Sequence, residues 1–71
     1  MKKPYIVQVM QDIQDITSLA NEFFKDEKST TIWLNTENPS LGFKEPIEMI
    51  YKGDAETLKT FMLRAFERTV H

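Results

Sequence analysis

The residues best equipped for chemistry in this 71-residue chain are two carboxylate pairs, Asp12/Asp15 and Glu45/Glu48. Each pair is spaced three apart. Such a pair can run general acid–base catalysis when one member is desolvated and its pKa is raised into the working range. Here both pairs fall on polar helix faces or at helix starts, so they read as solvated surface. His71 could act as a base, but it is the last residue and no acid or nucleophile accompanies it in the sequence. Ser18, Ser29 and Ser40 lack the surroundings of an activated nucleophile. Gly42 and Gly53 do not make a phosphate loop, because the glycine-rich spacing and the Lys-Ser/Thr are missing. With no cysteine and a single histidine, thiolate metal sites, disulfides and a structural zinc are all unexpected. The expectation is no enzyme, no cofactor and no metal site.

Bulk properties narrow the remaining classes. Seventy-one residues make one domain at most. A core of that size rarely supplies more than roughly 3–5 kcal/mol without a staple. Association is the staple still open, so a homodimer or a domain steadied by a partner is expected. Acids outnumber bases eleven to nine, with a pI near 5.3, which is a poor footprint for nucleic acid. Lys2, Lys3, Arg64 and Arg68 are the few groups that could touch phosphates. No apolar run approaches the roughly 20 residues of a membrane span. Met1-Lys2-Lys3 precedes a polar-interrupted segment rather than a signal peptide's continuous apolar core, so a cytoplasmic location is expected.

Helical elements must position whatever site exists. From Tyr5, apolar residues recur at three and four positions: Ile6, Val9, Met10, Ile13, Ile16, Ala20, Phe23 and Phe24. That spacing lines one face of a long helix, with Asp12 and Asp15 on the other face. The β-branched start at Tyr5–Val9 could form a strand, but no second alternating run exists to pair with it. Asp26 suits the N-cap of a second helix from Glu27 to about Asn35, with Ile32, Trp33 and Leu34 as its apolar mass. Asn38-Pro39 ends helical structure, because the residue before proline is pushed out of the α region. Gly42 marks a loop needing positive φ, and Leu41 and Phe43 beside it are expected to plug the space between helices. Pro46 opens a third helix at its first position, and Lys52-Gly53 closes it. Ile47, Ile50 and Tyr51 should be its buried side. Asp54 caps a fourth helix whose Ala55, Leu58, Phe61, Met62, Ala65 and Phe66 again keep helical spacing, fraying near Thr69. The expectation is an all-α, compact four-helix single domain.

Two groups of apolar residues could face a partner instead of the core. Trp33, with Leu34, Phe43 and Tyr51, could form an exposed aromatic anchor, although a buried Trp33 is the plainer reading. Val7, Leu19 and Leu63 lie off their helices' apolar stripes and are candidates for an association surface.

The segment Trp33–Gly53 carries most of the unusual residues, including the only tryptophan, both glycines and Pro39 and Pro46. Its pattern is WL-N-T-x-N-P-S-L-G, then P-I-E-x-I-x-x-G, then an acid-capped amphipathic helix. It resembles the toxin-binding domain of Xre/MbcA/ParS-type antitoxins. Trp33, Leu34, Asn38, Pro39, Leu41, Gly42, Pro46, Glu48, Gly53 and Leu63-Arg64 match. Ala20, Phe23 and Asp26 fit the family's upstream segment. The resemblance spans about residues 17–68. It implies a compact α-helical module that dimerises and neutralises a toxin encoded nearby, often a RES-domain enzyme that consumes NAD. It also implies that the C-terminal residues reach the toxin's active site. By position alone, those are Arg64, Arg68, Thr69, Val70 and His71.

The chain departs from the family at three points. About 16 residues precede the match, too few for the usual helix-turn-helix domain, so operator binding is not expected. The organisation expected is a leader and the first part of helix one over 1–16, then the antitoxin-like domain over 17–71. Phe43 stands where a second glycine is usual, and Glu45 replaces the usual threonine cap. The alternative reading is an oligomerisation or structural module with no toxin, and a third is a small DNA-binding regulator using the first helix.

Overall fold

The computed structural model describes residues 4–69, with the side chains of residues 4–67. Four α-helices follow in order: α1 (Tyr5–Phe24), α2 (Glu27–Leu34), α3 (Pro46–Tyr51) and α4 (Ala55–Thr69). A 3-10 turn at Pro39–Leu41 lies between α2 and α3, and no strand occurs among the described residues. The Tyr5–Val9 start is helical, as its lack of a pairing partner requires. The expected all-α single domain is what the chain forms.

The chain enters α1 from Pro4 and leaves it through Lys25 in the left-handed conformation (φ 62°), where its N–H bonds the Asn21 carbonyl. Asp26 then caps α2: its carboxylate accepts from the N–H groups of Lys28 and Ser29 and from the Ser29 hydroxyl. That satisfies donors a helix start otherwise leaves unpaired. The Thr30 side chain is fully buried, and its hydroxyl returns a bond to the Asp26 carbonyl. Pro46 occupies the first turn of α3, where a missing N–H is harmless. At the other end Gly53 sits at φ 86°. Its N–H bonds the Ile50 carbonyl, and that of Asp54 bonds the Met49 carbonyl. These paired bonds with a left-handed glycine are a Schellman ending, and they turn the chain directly into α4.

Val9, Ile16 and Ala20 of α1, Leu34 of α2, Met49 and Ile50 of α3, and Ala55, Leu58 and Met62 of α4 form the core. Three contacts show that α1 and α4 run in the same sense. The Tyr5 hydroxyl donates to the Tyr51 carbonyl just before α4 begins. Lys59 reaches Asp12 and Asp15 midway. Phe66 stacks on Phe23 at the far end.

Several expected burial assignments need correcting. Ile6 and Met10 are exposed, because no other helix covers that flank of the first turns of α1. Tyr51 is exposed and Met49 takes its place in the core. Phe43 does not plug an interhelical space; it points to solvent. Leu19 packs against the core rather than outside it. Asp12, expected on the wet face, is only 6 % exposed. Val7 and Leu63 are exposed, as their off-stripe positions require.

Candidate partner-binding site

The buried position of Asp12 follows from the same periodicity that buries its neighbours. It lies three residues after Val9 and four before Ile16, inside the apolar stripe. Burial of a carboxylate is tolerable only with partners. Gln8 Nε2 donates to Asp12 Oδ1 at 3.0 Å, and Lys59 Nζ approaches the same oxygen at 3.6 Å. Lys59 also lies 3.4 Å from Asp15 Oδ2 and 3.6 Å from Glu56 Oε1. Burial alone would lower the lysine's pKa. The Asp15 hydrogen bond and the charges of Glu56, Asp15 and Asp12 outweigh it and hold the ammonium above its ordinary value. The carboxylates are thus committed to fastening α1 to α4. The other pair, Glu45/Glu48, is at the start of α3. Glu48 pairs with Lys52 at 2.8 Å, and that hydrogen bond and charge hold its carboxyl below the usual range.

An aromatic cluster fixes the opposite end of the same helix pair. The rings of Phe23 and Phe66 lie parallel, 4.1 Å apart with 6° between planes. Phe24 meets Phe23 edge-on at 5.2 Å and Phe66 at 6.4 Å. Trp33 approaches Phe24 at 6.0 Å. Trp33 is therefore half-buried packing, not a free anchor, and it ties α2 to the end of α1. Two fastenings along α4, the Lys59 cluster and the phenylalanine stack, set the direction in which that helix delivers its last turns.

The residues expected at the working end have unequal standing. Arg64 is exposed on α4. With Thr57, Thr60, Phe61 and Ala65 it lines an open depression of about 460 Å³. No carboxylate lies within ion-pair distance of Arg64 among the described residues. For Arg68 and Thr69 only the helical backbone is described, and Val70 and His71 lie outside the described residues.

The motif residues each have a structural task. Asn38 Oδ1 accepts from the Ser40 N–H at 2.9 Å. The Asn38 carbonyl takes bonds from the N–H groups of Leu41 and Phe43, and its own N–H bonds the Lys44 carbonyl. Asn38 therefore organises the whole loop. Pro39 starts the 3-10 turn, and Gly42 (φ 67°) ends it. Leu34 is buried, and Leu41 packs against the core from the loop. Pro46 is buried at the start of α3.

Phe43 also lies in the left-handed region, at φ 63°. Its N–H bond to Asn38 and the Asn38–Lys44 bridge impose that conformation. For a bulky L-residue it costs about 1–2 kcal/mol. The Phe43 side chain recovers little of this by packing, since the residue is 65 % exposed.

Sequence reading missed the Asp12–Lys59 fastening, although the i, i+3, i+7 run Val9–Asp12–Ile16 carries the signal for it. Comparison of the chain with protein-family models, with curated proteins and with solved structures finds no match. No helix among the described residues is long and apolar enough to cross a membrane.

Proposed function

We propose that this chain is an antitoxin-like protein-binding module that neutralises a toxin encoded beside it and has no catalytic activity of its own. The toxin expected is a RES-type enzyme that consumes NAD. The observation that carries the reading is the Asn38–Gly53 segment. Its Asn-Pro, its first glycine, its proline-led helix and its closing glycine each make the cap or turn expected of those residue types, and the same residues carry the resemblance. Phe43 holds a conformation that favours glycine, at the position where that pattern carries its second glycine.

In this reading α4 is the effector. Fastened at Lys59 and Phe66, it holds its described turns at a fixed angle, and the residues that the resemblance assigns to the toxin's active site are Arg64, Arg68, Thr69, Val70 and His71. Co-purification with the product of the neighbouring reading frame tests the reading. A stable complex is expected, and two separately eluting proteins would overturn it.

A second reading, a homodimeric oligomerisation module without a toxin, is favoured by one observation. Tyr5, Ile6, Val7 and Met10 leave an apolar start of α1 open to solvent. Dimerisation by itself is compatible with the first reading, because an interface at the start of α1 leaves the end of α4 free; the two readings part on whether a toxin partner exists.

A further inference from the structure

We infer that Phe43 is an anchor side chain that inserts into an apolar, acid-rimmed pocket on the protein partner. This rests on the antitoxin-like reading and adds a second contact, separate from the end of α4. The loop's hydrogen bonds hold residue 43 in a left-handed conformation that glycine adopts without penalty. A phenylalanine there costs the free chain energy. It gives back little burial, since the residue is mostly in solvent, lies outside the core cluster and stacks on no other ring among the described residues. Other apolar side chains of the same segment are drawn inward: Leu41 packs on the core and Pro46 is buried.

An exposed aromatic ring on a backbone fixed by hydrogen bonds loses little freedom when it docks, which is the property of interface hot spots. The occupant's chemistry follows from the neighbourhood. The ring calls for an apolar cavity. Lys44 beside it is exposed and, although its charge is felt by Glu48, makes no close ion pair among the described residues, so a carboxylate at the rim would complement it. A second copy of this chain is the poorer fit, because its depression on α4 is rimmed by Arg64, which would repel Lys44.

The test is titration of the purified RES-type toxin from the neighbouring reading frame with the wild-type chain and with F43G and F43A. F43G relieves the backbone strain, so it should melt at or above the wild-type temperature. Both variants should bind at least about thirtyfold more weakly, the loss expected of an interface hot spot. K44E should weaken binding further. Unchanged affinity in F43G, with wild-type binding intact, overturns this inference alone. A clearly lower melting temperature in both variants shows that the ring packs within the chain and also overturns it. A fall in self-association with toxin affinity unchanged would place a second copy in the pocket's role and overturn it too. No binding by the wild-type chain overturns the antitoxin-like reading, and this inference with it.

Discussion

The Phe66 ring lies flat on that of Phe23, 4.1 Å away, and joins the last turns of α1 and α4 where the two helices end side by side. Offset or parallel aromatic contacts of this kind add to the burial of both rings. Both residues are only partly buried, so Phe66→Ala should cost less than truncation of an enclosed phenylalanine, about 2–3 kcal/mol. Urea denaturation would read this as a lower midpoint with an unchanged slope. Under the proposed function, the variant should also protect cells from the toxin less well, because the end of α4 loses its support.

Lys59 is the mid-helix counterpart of that stack. Its removal leaves Asp12 buried with only Gln8 as partner. Lys59→Met is expected to destabilise by about 2–3 kcal/mol. That is below the full cost of orphaning a buried charge, because the lysine side chain is itself 24 % exposed. Adding Asp12→Leu should restore most of the loss, since an apolar pair replaces an ion pair with little penalty. Equal destabilisation by the single and double variants in urea titrations would contradict the assignment.

The α2 cap gives a pH-dependent prediction. The Ser29 hydroxyl bond, and then the Ser29 and Lys28 N–H bonds, hold the Asp26 carboxyl below its ordinary value of 3.8. A lowered carboxylate pKa contributes stability that is full above 3.8 and is lost as pH falls through the folded value. Asp26→Ala should therefore melt several degrees below wild type near neutral pH. The gap should narrow as pH drops below 3.8. A gap that stays constant to acid pH would show that the carboxylate's charge is not what caps the helix.

The helix-closing glycine has a different origin of cost. Space around Gly53 is open, with no atom within 4 Å of where a side-chain methyl would stand, yet φ is +86°. Gly53→Ala should cost about 1–2 kcal/mol through backbone strain alone, with no repacking. Calorimetry would show a lowered melting temperature with the helical circular dichroism intact.

Much of this fold is legible in the sequence for local reasons. Asp26, Pro46 and Gly53 act within a few residues of themselves, so their types and spacing suffice to place the starts and stops. Burial is less legible, because it depends on which flank a neighbour covers. Ile6 and Met10 keep the apolar spacing of α1 but have no helix beside them, while Leu19 lies off the stripe and is covered. Asp12 has a readable position and a misleading polarity, and only Lys59, on a helix far along the chain, resolves it. Phe43 shows the limit most plainly. Its left-handed backbone is dictated by Asn38 and Lys44 through bonds that no periodicity announces.

In the proposed function this chain silences a neighbouring NAD-consuming toxin through the end of α4. The most direct test is the rate of NAD loss by the purified toxin as the chain is added, with a variant lacking Arg68–His71 alongside. The full chain is expected to stop NAD loss at a stoichiometric ratio, and the shortened chain to bind but leave the activity running. NAD loss unaffected by the full chain would contradict that function, and NAD loss stopped equally well by the shortened chain would contradict the role of the end of α4.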